Sequence, residues 1–241
     1  GTLVIPGFTS WRTDRLILTN SALEFPEGFS LKVDGDLVIS NKAELVIRNG
    51  EVRCGGNVWV DGSNVNASTY ATLKFFDRAR FACAGDFTVR NGGCLWTSAG
   101  ITNADFPCFV FDLDVGNTLQ LTSGGLFWPE SHPTNSNCGA MRITARNVVV
   151  DEGTRIDGMG RGFQIAKQAG IRGFGPGGAA GMVGASHAAR GGTGYSYNVA
   201  NFGPVYGCSN APVSYGSAGG NVNNGGYRGG HGGSQLWVET A

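Results

Sequence analysis

Six cysteines are the residues of this chain whose type and number point most directly to chemistry: Cys54, Cys83, Cys94, Cys108, Cys138 and Cys208. Zinc sites draw on thiols in CxxC spacing or on several histidines. The chain has no CxxC and three histidines, so the sequence predicts no metal site and no cofactor. An even number of cysteines without metal spacing is typical of disulfides and of an oxidising compartment. The alternative is six buried free thiols in a cytosolic protein.

Carboxylates suited to sugar hydrolysis form one sequence cluster, Asp151, Glu152 and Asp157, beside Arg155 and Arg161. Glycosidases need two carboxyl groups about 5–9.5 Å apart. Clustered charges of this kind are more often a solvated turn, and that interpretation is preferred. No catalytic residue is assigned to the cluster.

A second candidate set for polysaccharide chemistry is His187, Arg190, Tyr195 and Tyr197. Tyr or His can act as a general base, with Arg neutralising a sugar carboxylate. Closeness in sequence does not establish this geometry. A lyase-like enzyme therefore stays an alternative rather than the leading hypothesis. His132, which precedes a proline, is expected to cap a turn.

The elements that must position these residues are short β-strands. Apolar, β-branched runs at 16–18, 37–39, 45–47 and 58–60 are separated by Asp-Gly and Asn-Gly turns, which is typical of strands. No long stretch has a helical period.

An Asp or Asn followed by alternating apolar residues recurs along the chain. We call these residues the anchors: Asp14, Asp36, Asn57, Asp86, Asn117 and Asn147. Repeats of about 20–30 residues are typical of solenoids, in which each coil buries its apolar face against its neighbours. The sequence therefore predicts an all-β fold, a right-handed parallel β-helix (β-solenoid). An antiparallel sandwich would not explain the recurring anchor.

The cysteines agree with this alignment. Cys54 and Cys83 each lie three residues before an anchor, and Cys108 and Cys138 each lie nine residues before one. Stacked strands about 4.8 Å apart suit the Cα separation of a disulfide. The alignment predicts the bridges Cys54–Cys83 and Cys108–Cys138. It does not establish the pairing of Cys94 and Cys208.

Tryptophans are the obvious residues for stacking on sugars, and the chain has five: Trp11, Trp59, Trp96, Trp128 and Trp237. Trp59 and Trp96 lie two and ten residues after their anchors. These positions are not in register, so no single tryptophan ladder is predicted.

Glycine and charge divide the chain near residue 157. The chain has 41 glycines, and the stretch from Gly158 to Val238 has no carboxylate and five cations. We expect β-solenoid coils with insertions over residues 1–157. Residues 158–241 are expected to form a glycine-rich ordered loop layer that closes on a strand within the same domain. The chain is expected to be a piece of a longer protein.

Charge and hydropathy exclude some classes of partner. Eighteen Lys and Arg balance eighteen Asp and Glu, which argues against a nucleic-acid-binding protein. No run of 18 apolar residues predicts a membrane span. Asn66 lies in an Asn-Ala-Ser sequon and is a glycosylation candidate.

The glycine-rich part contains GGTGY at 191–195, YGSAGG at 215–220 and GGYRGGHGG at 225–233, and then the strand QLWV at 235–238. This combination resembles the glycine-rich β-solenoid segments of very large surface or secreted proteins of bacteria and some eukaryotes. The resemblance implies an extracellular, repetitive protein and supplies no catalytic residues.

The leading hypothesis is a non-catalytic structural module of an extracellular cell-surface, filament or adhesin protein. Its expected partners are further coils of the same polypeptide or other copies, joined through strand edges. The edge residues are Leu3, Val4, Ile5, Leu236, Trp237 and Val238. The alternative is a polysaccharide-binding or polysaccharide-degrading β-helix, with glycans as partners.

Overall fold

A computed structural model describes residues 7–62, 70–106, 108–132, 134–135, 137–166, 171–193, 198–207, 214–221 and 229–240. The described chain is all-β, with one short 3-10 helix at Val199–Asn201. Its strands are β1 Ser10–Thr13, β2 Leu16–Thr19, β3 Ala22–Glu24, β4 Ser30–Val33, β5 Leu37–Ser40, β6 Glu44–Arg48, β7 Glu51–Cys54, β8 Val58–Asp61, β9 Thr72–Asp77, β10 Ala79–Cys83, β11 Phe87–Arg90, β12 Cys94–Ala99, β13 Phe109–Thr122, β14 Leu126–Glu130, β15 Ala140–Val150, β16 Arg155–Ile156 and β17 Trp237–Thr240.

All these strands pair in parallel, and from β1 to β10 each pairs with the strand three places further along the chain, whereas β11 pairs with β13 and β12 pairs with β14. A six-stranded sheet has the order β16-β14-β12-β9-β6-β3. An eleven-stranded sheet has the order β1-β4-β7-β10-β13-β11-β8-β5-β2, with β15 added to β13 and β17 added to β15.

The predicted right-handed parallel β-helix is wrong. The strands form two parallel sheets, of eleven and six strands, rather than closed coils. The reason lies in β13, a 14-residue strand that pairs with β10 along its first part and with β11 along its second. It therefore joins the strands that pair with β10 and those that pair with β11 into one sheet. The recurring anchor thus indicates that the strands are parallel and in register. Parallel strands in register can also form open sheets, without closed coils.

Strand register follows the anchors and explains their chemistry. Leu37, Val58 and Phe87, each one residue after an anchor, are paired across neighbouring strands. Asp36 Oδ1 accepts from the Asn57 backbone N–H at 3.0 Å, and Asn57 Oδ1 accepts from the Asp86 N–H at 2.8 Å. Asp and Asn recur because each anchor side chain accepts a hydrogen bond from the backbone N–H of the next anchor. Without this acceptor, that N–H group would be left unpaired in its turn.

Apolar ladders fill the space behind the sheets. Phe75 packs against Phe111 with ring centroids 5.1 Å apart, and Phe81 packs against Phe87 at 5.3 Å. All four rings are buried. Aromatic pairs at these separations add to the stabilisation from buried area, so this stack is the centre of the core.

The described glycine-rich segments associate by direct backbone hydrogen bonds. The Gly162 N–H donates to the Gly232 carbonyl at 2.7 Å, and the Gly232 N–H donates to the Phe163 carbonyl at 2.9 Å. Phe163 and Tyr215 are buried and belong to the same apolar cluster as the sheets. The glycine-rich segments therefore pack on the core, while the domain boundary at 157/158 stays a prediction.

None of the described residues belongs to a helix with the length and apolar character that crossing a bilayer requires.

Candidate functional site

A polar depression on the outward side of the eleven-stranded sheet is the main candidate site. It consists of two adjoining cavities, of about 450 and 610 Å³, that share Glu51 and Arg80. We call it the polar groove. The larger cavity is lined by residues of β7, β10, β13 and β15, among them Arg53, Asp112, Asp114 and Arg142. The smaller is lined by Glu27, Asn49, Arg78, Asn103, Asp105 and Phe106, among others.

Strand alternation and parallel register build the larger cavity. Residues i and i+2 of a strand point to the same side of its sheet. Here they form two outward rows, Glu51, Arg80, Asp112 and Arg142, and then Arg53, Ala82, Asp114 and Thr144. In the second row the Ala82 methyl lies between the longer side chains of Arg53 and Asp114. This difference in length produces the depression.

Two ion pairs neutralise part of the groove. Arg142 Nε lies 2.8 Å from Asp112 Oδ1, and Arg53 Nε lies 2.7 Å from Glu51 Oε1. Within the described part of the chain, Asp114 has no ion pair. Arg80 has none there either, and its guanidinium lies 4.6 Å from the ring centroid of Phe106. Among the described residues, the larger cavity thus has one carboxylate, Asp114, and one guanidinium, Arg80, that belong to no ion pair.

Phe106 reaches the groove through a tight local turn. Asn103 Oδ1 accepts from the Phe106 N–H at 2.8 Å, and the Asn103 N–H donates to the Phe106 carbonyl at 3.1 Å. The Thr102 N–H donates to the Asn137 carbonyl, which ties the turn to the next connection. The segment between the anchors Asp86 and Asn117 is long enough to contain this turn, which places Phe106 at one end of the groove.

A second surface, the aromatic strip, lies on the outward side of the six-stranded sheet. Trp96 and Trp128 are directly opposite on β12 and β14, with ring centroids 5.7 Å apart. Lys74 Nζ lies 5.0 Å from the Trp96 ring, and the Arg161 guanidinium lies 4.5 Å from the Trp128 ring. These cations cover the indole faces and contribute cation–π attraction.

Arg161 links the glycine-rich part to this strip. Its guanidinium pairs with Glu130 on β14 and lies 4.0 Å from Asp157. The indole N–H groups of Trp96 and Trp128 are buried and have no hydrogen-bond partner among the described residues. Because a cation lies over each indole ring and both tryptophans are only partly exposed, the strip is a largely occupied surface rather than an open platform.

The structure brings together one of the two predicted cysteine pairs. Cys54 and Cys83 are directly opposite on β7 and β10. The Cys108 carbonyl accepts from the Ala140 N–H at 2.8 Å, while Cys138 forms an antiparallel bridge with Ile101. Cys54, Cys83, Cys94, Cys108 and Cys138 are free thiols here, and Cys208 lies outside the described residues. The disulfides themselves stay predictions.

Burial raises the pKa of several of these thiols. It raises the pKa of Cys83 and of Cys94 to about 12 and that of Cys138 to about 11. The neutral thiol is the favoured form in each case, because a thiolate loses its hydration there. These cysteines are poor nucleophiles in the folded protein.

The other predicted residues are dispersed. Asp151 and Glu152 are exposed in the turn before β16, and Asp157 lies beside Arg161. The His187 ring packs on Tyr206 at 4.7 Å, and Arg190 lies over Phe202. Tyr195 and Tyr197 lie outside the described residues.

His132 caps a turn, as predicted, because its Nδ1 accepts from the N–H groups of Thr134 and Asn135. Burial lowers its pKa, which favours the neutral ring that such acceptance needs. Among the residues the structure describes, no group of three or more His, Cys, Asp and Glu is placed to hold a metal ion.

Only some of the predicted edge residues lie in the described part of the chain. Leu3, Val4 and Ile5 lie outside the described residues, as does Asn66. Trp237 and Val238 belong to β17, where they pair with Arg142 and Ile143 of β15, and Leu236 immediately precedes this strand.

Sequence reasoning missed both surfaces, although the sequence contained a signal for each. Arg53 and Ala82 each lie four residues before an anchor, so the comparison used for the cysteines predicts that they stack. Trp96 and Trp128 lie ten and eleven residues after theirs. The extra residue lies before Leu119, because Phe87, one residue after Asp86, pairs with Leu119, two residues after Asn117.

The chain matches no protein-family model, no curated protein and no solved structure.

Proposed function

We propose that this chain is a non-catalytic structural module of an extracellular cell-surface or filament protein, and that it assembles through the edges of its sheets. The observation that carries the proposal is the pair of edges of the eleven-stranded sheet on which the described residues place no further strand, each with exposed β-branched side chains. Unpaired edge strands are templates for main-chain pairing with another strand.

One edge consists of β1 and β2. Ile17 of β2 is 53% exposed. The described residues place no strand on the outer side of β1 or of β2. This edge therefore offers both backbone groups and apolar surface.

The opposite edge consists of β17 and the end of β15. Val150 of β15 is 47% exposed, and Val149 and Val238 are exposed as well. No proline or lysine, the residues that commonly protect an edge, interrupts 147–150 or 237–240.

The two edges suit each other. All strands of the sheet run parallel, so the β15/β17 edge of one copy can extend the β1/β2 edge of the next in the same sense. Such a contact is heterologous and generates an open, head-to-tail assembly. A further stretch of the same polypeptide would use the same edges.

Sedimentation velocity over a range of concentrations tests this proposal. The wild-type protein should associate progressively, and a lysine at either edge (Ile17→Lys or Val150→Lys) should leave monomers. The reason is that a buried, unpaired ammonium group opposes edge pairing.

Met159→Lys is the matched control, because Met159 is 88% exposed but lies on neither edge. This variant should associate like the wild type. A wild-type protein that sediments as a monomer at every concentration would contradict the proposal, as would equal loss of association in all three variants.

A second candidate function, glycan binding, is favoured by the polar groove. It does not compete with edge assembly, because the groove lies on the face of the sheet.

A further inference from the structure

We propose that the polar groove binds a neutral oligosaccharide. This inference goes beyond edge assembly and does not depend on it. The groove is a preformed depression on a sheet, and its walls combine hydrogen-bonding side chains with apolar surface, to which Phe81, Ala82 and Leu113 contribute. Ligand sites are typically concave, with a few convergent polar groups that set orientation.

The side chains of the groove supply donors and acceptors together. Arg80 and Arg53 present guanidinium donors, and Asp114 presents carboxylate acceptors. Asn103 contributes an amide, which can do both. A sugar hydroxyl also donates and accepts, so it can use both kinds of group at once. A ligand with acceptors only would leave Asp114 without a partner.

Charge argues for an uncharged ligand. Five carboxylates and four guanidinium groups line the two cavities together. The ion pairs Arg142–Asp112 and Arg53–Glu51 already use two of each. No positive field remains to attract a polyanion, in contrast with sites for nucleic acids or acidic glycans.

The shape suits an extended chain. The larger cavity crosses β7, β10, β13 and β15, a distance of roughly 14 Å at about 4.8 Å between strands. Ala82 forms a low floor in the middle, and Phe106 supplies an apolar wall at one end. Several linked sugar units fit this length, with ring C–H groups against Phe106 and hydroxyls between Arg80 and Asp114.

The test is a glycan array followed by calorimetry on the intact chain. The array should carry neutral β-linked oligomers of glucose, xylose, mannose and N-acetylglucosamine, together with oligogalacturonate and heparin fragments as acidic comparators. We expect binding to at least one neutral oligomer and none to the acidic set. The affinity should change little with ionic strength, because no phosphate-like or carboxylate charge is being neutralised.

Asp114→Ala should weaken that binding at least about tenfold, the usual effect of losing a hydrogen bond to a charged group. Phe106→Ala should weaken it as well. Asp151→Ala is the matched control, since Asp151 is an exposed carboxylate outside the groove, and it should bind like the wild type. Circular dichroism establishes that each variant is folded.

Three outcomes would overturn the proposal. The first is an array without any bound neutral glycan. The second is preferential binding of the acidic comparators. The third is neutral binding that neither Asp114→Ala nor Phe106→Ala weakens. None of them bears on edge assembly, which sedimentation tests separately.

Discussion

Cys54 and Cys83 lie directly opposite each other on the neighbouring parallel strands β7 and β10, and both side chains are buried. The Cys54 thiol donates to the Gly35 carbonyl at 3.0 Å, and the Cys83 thiol donates to the Gly85 carbonyl at 3.7 Å. Residues opposite each other on parallel strands lie about 4.8 Å apart, within the Cα range of a disulfide. The backbone therefore already suits a bridge at this position.

We predict that Cys54 and Cys83 form a disulfide when the protein is exposed to an oxidising buffer. The bridge would close a loop of about 30 residues and add on the order of 3 kcal/mol to the free energy of unfolding. Mass spectrometry of a non-reduced digest should find the linked peptides, and urea titration with and without dithiothreitol should show the gain. Cys54→Ser should abolish the gain, and Cys94→Ser should retain it. Unlinked peptides after full oxidation would contradict this prediction.

The reduced protein should lose stability in alkali. Burial raises the pKa of Cys83 and of Cys94 to about 12, against an ordinary value of 9.0. Between about pH 9 and pH 12 the unfolded chain has released thiol protons that the folded chain retains. The free energy of unfolding therefore falls as the pH rises through this window, and the contribution is fully present below it.

Urea midpoints at several pH values up to 11 should show this decline. Cys94→Ala should make the urea midpoint fall less steeply with pH, because it removes one of the thiols whose pKa differs between the folded and unfolded states. A slope identical to that of the wild type would show that Cys94 does not titrate differently in the two states.

The anchor ladder should be sensitive at Asp86. Its Oδ1 accepts from the Asn117 side chain at 2.6 Å and from the Thr118 N–H at 3.1 Å. Asp86→Ala leaves both donors unpaired and should cost about 1–3 kcal/mol. Asp86→Asn keeps an acceptor oxygen and should cost clearly less. Equal urea midpoints for the two variants would indicate that the accepted hydrogen bonds contribute nothing.

Close backbone contacts in the glycine-rich part predict that a Gly→Ala substitution changes the stability of the protein at some positions and not at others. A Cβ at Gly162 would overlap the carbonyl oxygen of Gly233, whereas a Cβ at Gly230 would meet nothing within 4 Å. Gly162→Ala should therefore destabilise the protein by about 1–3 kcal/mol, as overpacking does. Gly230→Ala should be close to neutral, and thermal melts would distinguish the two. Similar melting temperatures would contradict the packing described for this part.

The all-β class and the parallel register could be predicted because both depend on a short-range pattern. Asp36, Asn57 and Asp86 each precede an inward apolar residue, and the side chain of each also accepts a hydrogen bond from the next anchor in the series. The arrangement in two sheets could not be predicted in the same way. It depends on β13 continuing through Gly116 and Asn117, where composition indicates a turn.

The candidate site was harder to predict because its parts are distant in sequence and ordinary in type. Arg53, Ala82 and Asp114 are unremarkable surface residues until register places them side by side. Phe106 reaches the groove through a turn outside the repeat. Asn117 lies one residue out of register with Asp86, since Phe87 pairs with Leu119, and this offset hides the pairing of Trp96 with Trp128.

The close backbone packing of the glycine-rich part also bears on how the chain acquires its structure. An unfolded glycine segment samples more conformations than any other, so ordering it costs more entropy per residue. Few side chains there repay that cost, with Phe163 and Tyr215 as the main apolar contributions. We therefore expect the sheets to fold first. The glycine-rich segments should become ordered in a later step, by packing on the sheets that have already formed.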